Sequence, residues 1–76
     1  MRTMRLGDTE ISASAIRRGI DNYISAVTVL HHARNGDDML SLHEWEQPIF
    51  ESEREALQFA WRRAVAIAWK LTQVRS

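Results

Sequence analysis

Three histidines, His31, His32 and His43, are the residues that first suggest chemistry, because the chain has no cysteine and imidazole is the commonest metal ligand that remains. Their spacing decides whether they can meet. Asn35-Gly36 reads as a hairpin turn between two strand-like runs. A two-residue loop there pairs His32 with Met39, His31 with Leu40 and His43 with Thr28. Adjacent strand residues point to opposite faces, so His31 and His32 separate. His32 and His43 share a face but stand four residues apart along the ladder. One or two imidazoles with no clear carboxylate partner do not make a zinc centre. Neither a metal nor any other cofactor is expected.

The carboxylates Glu44, Glu46, Glu51, Glu53 and Glu55 are dense enough to offer an acid–base pair. Nothing in the surrounding sequence marks a pocket that would keep one of them protonated. They read instead as a solvated edge strand and a helix N-terminus, where charge discourages edge-to-edge pairing. Ser12, Ser14 and Ser25 alternate along small-residue runs with no nucleophile elbow. Gly7, Gly19 and Gly36 are too widely spaced for a phosphate-cradling loop. The expected protein is not an enzyme.

The elements that must position these side chains come next. With 76 residues the chain is a single domain, near the size at which one core is only marginally sufficient. Its 45% hydrophobic and 26% charged residues are ordinary for a globular protein. The clearest element is the last. Ser52 and Glu55 form a capping box, and from there to the end neither Gly nor Pro occurs. Leu57, Ala60, Trp61, Ala64, Ala68 and Leu71 fall on one helical stripe, with Val65 and Ile67 at its margins. A helix over residues 52–72 follows.

Upstream the period changes to that of strands. Residues 11–16 read ISASAI and residues 23–30 read YISAVTVL, joined by RRGIDN, whose Gly19, Asp21 and Asn22 suit a tight turn. MLSLHEW is a third run, and Pro48 ends it or confines it to an edge. The expected fold is α+β: a three-stranded antiparallel β-meander over residues 10–50 packed on one C-terminal helix, preceded by a short flexible or extended lead over residues 1–9. An all-α helical hairpin is the alternative, since Ile16, Ile20, Tyr23, Ile24, Val27 and Leu30 also match a helical stripe. Gly19, Asp21, Asn22 and the run Val27-Thr28-Val29 weigh against it.

The strand EISASAIRR, the Gly/Asp/Asn turn, the aromatic-led strand YISAVTV and the helix entry through Phe50, Ser52, Glu55 and Ala56 together resemble small uncharacterised proteobacterial single-domain proteins with a strand-strand-strand-helix layout. The resemblance covers residues 10–70. It departs at the end of the helix, where Trp69-Lys70-Leu71 replaces an aromatic-Ile ending. It implies a bacterial protein of this fold and implies no activity.

What remains is surface. The N-terminal MRTMRLGDTE lacks the apolar run of a secretion signal, and no stretch approaches the roughly 18 apolar residues of a membrane span. A soluble, cytoplasmic protein is expected. Ile11 opposite Leu30, Ala13 opposite Thr28 and Ala15 opposite Ala26 would give a small apolar floor for the alanine-rich helix. The other face would then carry Tyr23, Val27 and Val29; if the faces are reversed, Ile11, Ile24 and Leu30 become the exposed set. On the helix, Phe59 and Trp69 fall off the core stripe beside Arg62, Arg63 and Lys70. The expected function is a protein-interaction module of adaptor, regulator or inhibitor type. It is expected to form a homodimer through Tyr23, Val27 and Val29 or through the outer helix face, alone or with another protein. The alternative is a nucleic-acid-binding protein. Arg62, Arg63, Lys70 and Arg75 would meet phosphates while Tyr23 or Phe59 stacks a base. Zero net charge and the seven acids against one Arg in residues 37–55 oppose that alternative.

Overall fold

In a computed structural model that describes residues 1–74, the order of elements is β1 (Arg2–Leu6), β2 (Thr9–Gly19), β3 (Asn22–His31), β4 (Met39–Phe50) and α1 (Glu53–Val74). The strands form one antiparallel meander in the order β1-β2-β3-β4, and α1 packs on one face. The α+β expectation therefore holds and the helical hairpin does not. The strand count is corrected from three to four. The supposed lead contains β1, which pairs with β2 from Arg2↔Ala13 to Leu6↔Thr9. RTMRL carries no β-branched residue except Thr3, so propensity does not announce it. It forms because Met4 and Leu6 extend the apolar floor beside Ile11.

The helix begins where the sequence indicates. Ser52 immediately precedes α1, and its carbonyl accepts the Ala56 N–H at 3.1 Å. Among the described residues its hydroxyl makes no bond to the Glu55 N–H, so the capping box is present in position only. Ala56, Ala60, Ala64 and Ala68 are buried along one line at one-turn spacing. The last three lie against Ile11, Ala13 and Val27, and the helix makes most of its contact with β2 and β3. Ser25, fully buried under the helix start, donates its hydroxyl to the Ala56 carbonyl at 2.7 Å. That bond ties α1 to the centre of the sheet at no cost in unpaired polar groups. The flanks of the line carry the large residues: Leu57 and Trp61 on one side, Phe59 and Ile67 on the other, all half-buried.

Both ladders differ by one residue from the expected pairing. At the β2–β3 turn, Gly19 pairs with Asn22 and Asp21 adopts a left-handed φ of 55°. A shift between Arg17 and Gly19 then leaves one residue of β2, Arg18, without a counterpart. From there Arg17 meets Tyr23, Ala15 meets Ser25, Ala13 meets Val27 and Ile11 meets Val29. Because the side-chain period is two, this one-residue slip puts Ser25, Val27 and Val29 on the helix face and Ile24, Ala26, Thr28 and Leu30 on the far face. The β3–β4 connection is a loop over residues 32–38, not a two-residue turn, and it pairs His31 with Met39, Leu30 with Leu40 and Val27 with His43. Near the other end four residues of β4, 46–49, stand opposite Ile24 alone, between Trp45↔Ser25 and Phe50↔Tyr23. Pro48, joined to Gln47 by a cis peptide bond, lies in this irregular stretch of an edge strand.

The alanine line predicts an asymmetric response to enlargement. Ala64→Leu should destabilise the fold by about 1–3 kcal/mol, because added methylenes must push α1 off β2 and β3. Ala66→Leu, on the exposed side, should change stability by less than about 0.5 kcal/mol. Urea unfolding of the two variants compares them directly, and equal losses would mean that the line does not set the packing distance.

Candidate functional site

The expected surface residues divide once their neighbours are known. Val27 is fully buried in the core, and Val29 is half-buried against it. Tyr23 is half-buried on the same helix-facing side, paired with Phe50. The open-face assignment of these three is therefore corrected, and the Arg18 bulge is the reason. Phe59 also leaves the free surface. Its ring lies 5.5 Å from Phe50 and 6.3 Å, edge-on, from Trp45, both from β4. Strand β4 is long enough to reach along the side of α1, and Trp45 and Phe50 supply the cover that a three-stranded sheet lacked.

Two adjacent arginines have different environments. The Arg63 guanidinium lies over Phe59 at 5.0 Å and over Trp45 at 5.8 Å. Arg62 and Lys70 are exposed and enter no ion pair among the described residues. Trp61 is covered by the Arg2 guanidinium at 4.1 Å, which gives β1 a second anchor on the helix. Trp69 is 64% exposed. Arg75 lies outside the described residues. Helical geometry places Arg62, Val65 and Trp69 on one outward face, since they are three, four and seven residues apart.

On the far face of the sheet the apolar residues fall into two groups. Ile24 and Ala26 are only 1% exposed, although no helix covers them. Arg18, the bulged residue, reaches across β3 to Glu44 at 3.2 Å and Glu46 at 3.3 Å on β4. These ion pairs lie at that end of the face. At the other end Leu40 is 68% exposed and Leu42 60% exposed, beside the half-buried Leu30 that pairs with Leu40. Leu40 and Leu42 were legible as apolar residues of a third strand, but only the register reveals that they gather with Leu30 on an uncovered face.

The histidines do not assemble. His31 Nδ1 shares a 3.0 Å hydrogen bond with the Thr9 hydroxyl. His32 sits 3.2 Å from Asp38 and 3.9 Å from Glu10, across the start of the loop. His43 stacks on Trp45 with ring centroids 6.4 Å apart. Among the described residues no group of three metal-ligating side chains is gathered. An open hollow of about 230 Å³ is lined by Leu6, Gly7, Thr9, Leu71 and Thr72. It is smaller than the roughly 300 Å³ at which pockets for small molecules begin, and it holds no ionisable side chain.

No family model matches the chain, and neither a curated protein nor a solved structure does. The likeness to small proteobacterial proteins thus rests on the sequence pattern alone. No described helix is long and apolar enough to cross a membrane.

The different settings of the paired arginines can be read by substitution. Arg63→Ala should cost about 0.5–1 kcal/mol through lost contact with the Phe59 and Trp45 rings. Arg62→Ala should leave stability within about 0.5 kcal/mol of the parent. Thermal melts monitored by tryptophan fluorescence give both values.

Proposed function

We propose that the chain is a small non-enzymatic protein-interaction module that pairs with a second copy of itself through the uncovered end of its sheet. The observation that carries this reading is the exposed pair Leu40 and Leu42 beside Leu30, on the face opposite α1. Monomeric proteins rarely leave contiguous aliphatic side chains on a sheet face without a use for them. The patch has an apolar centre and a charged rim, with Arg18, Glu44 and Glu46 along one side and Arg5 paired to Glu10 at 3.9 Å along the other. That distribution is the usual anatomy of a protein contact. A two-fold axis lets the same patch serve both partners, which is the commonest way to hide such a surface. In a pair the two sheets would face each other with their helices outward. Adaptor, regulator and inhibitor roles all use a contact of this kind, and the partner chemistry it asks for is aliphatic.

Sedimentation at micromolar protein should give a mass near twice 8.8 kDa, little changed by moderate salt. Leu42→Lys should yield a folded monomer, because Leu42 is 60% exposed and contributes little to the core. Trp69→Ala, on the opposite side of the molecule, should leave the dimer intact. A parent protein that stays monomeric at high concentration would overturn the self-association.

A further inference from the structure

On the side away from the leucines, the outward face of α1 has an unusual pairing of aromatic surface with positive charge. After Glu55 the chain carries no acidic residue, whereas Arg62, Arg63 and Lys70 lie within the described helix. A helix dipole does not account for them. Its influence fades within the terminal turns, and the last turn of α1 contains no basic residue. Arg63 is engaged with the Phe59 and Trp45 rings, so its position has a packing explanation. Arg62 and Lys70 have none.

The aromatic residues sort in the same way. Tyr23, Trp45, Phe50, Phe59 and Trp61 are all half-buried within the domain. Trp69 alone among these rings is left largely in water, at 64% exposure, with Val65 one turn before it at 47%. Arg62 lies seven residues before Trp69 on the same helical face, about 10 Å along the axis, and the exposed Lys70 follows Trp69 about 100° round the helix. From these positions we infer that the outward face of α1 binds a short stretch of single-stranded nucleic acid. Trp69 stacks on a base, and Arg62 and Lys70 meet the flanking phosphates. A flat ring that tolerates any base, flanked by cations, is the arrangement such strands require. A second copy of the chain is a poor occupant of this face, because it would bring two sets of cations together. The acids nearest in sequence, Glu53 and Glu55, sit in the first turn of α1, more than about 20 Å along the axis before Trp69, while Asp38 and Glu10 face His32, and Glu44 and Glu46 face Arg18. The formal neutrality of the chain therefore hides a local positive face.

The test is titration of the full chain with a short oligothymidylate, followed by tryptophan fluorescence and by anisotropy of the labelled strand. Binding should quench the fluorescence. With two phosphate contacts it should weaken about sevenfold between roughly 50 and 200 mM salt. Trp69→Leu should abolish the quench, leaving Trp45 and Trp61 emission intact, and weaken binding about tenfold. Arg62→Gln with Lys70→Gln should flatten the salt dependence while circular dichroism stays that of the parent. All three positions are exposed, and Leu42→Lys, which tests the dimer, lies on another face. No quench at low salt, a quench that survives Trp69→Leu, or equally tight binding of polyglutamate would overturn the inference. The polyglutamate result would point to an acidic protein as the partner.

Discussion

The distance between α1 and the sheet is set by Ala56, Ala60, Ala64 and Ala68, and the other packing features follow from it. Side chains of one carbon let the helix backbone settle close over β2 and β3. Dispersion contacts and loss of apolar surface to water then come from Ile11, Ala13 and Val27 beneath and not from a thick layer of large residues. A helix so close leaves no room below it for an aromatic ring. The rings are displaced to its flanks, Trp61 towards β1 and Phe59 towards β4. There each is met by something that reaches round the sheet edge: Arg2 on one side, Phe50 and Trp45 on the other. The two edge strands are thus joined to the helix by ring contacts while the two central strands are joined to it by alanines. Ser25 adds a buried polar link, and it is satisfied by the Ala56 carbonyl.

The helix and the two central strands were readable because their local chemistry and their packing agree. Alanine and leucine at helical spacing without Gly or Pro have no competing structure, and YISAVTVL is β-branched where it is also buried. Strand β1 was not readable. RTMRL has weak strand propensity, and its reason for being a strand lies in residues far along the chain, Ala13 and Ile11 for the ladder and Trp61 for Arg2. The facing of β3 failed for a smaller cause. The turn itself pairs Gly19 with Asn22 as its residues suggest, yet one extra residue at Arg18 exchanges Val27 and Val29 for Thr28 and Leu30. Such a bulge has no local signature. What fixes it is the side chains that follow, since Val27 buried against alanines gains more than Thr28 there would.

The bulge has a second consequence for the candidate surface. Arg18, left without a partner across the ladder, is the residue whose guanidinium crosses β3 to Glu44 and Glu46. Exposed ion pairs of this sort add little stability. They put charge at the end of the far face that holds the buried Ile24 and Ala26, opposite the end held by Leu30, Leu40 and Leu42. The apolar patch is therefore confined to one half of the far face. The leucines were visible in the sequence as apolar letters. Their confinement depends on an irregularity of the backbone and was not.

Charge separation along the chain makes the two candidate surfaces chemically distinct. The acids of residues 37–55 are spent on the loop, on β4 and on the start of α1, where Glu53 and Glu55 sit in the first helical turn and favour the dipole. Because the following helix has none, its outward face becomes positive while the far sheet face holds both signs in pairs. The two faces lie on opposite sides of a sheet that is one layer thick. An aliphatic contact responds weakly to ionic strength and a contact with phosphates responds steeply. Salt would therefore separate the two proposed contacts. If both contacts form, they are thermodynamically independent unless α1 moves on the sheet, and the close alanine packing opposes that movement. Sheet-face pairing would leave the two outward helices of a dimer facing away from each other, so that a short strand on one would not reach the other and the independence would hold.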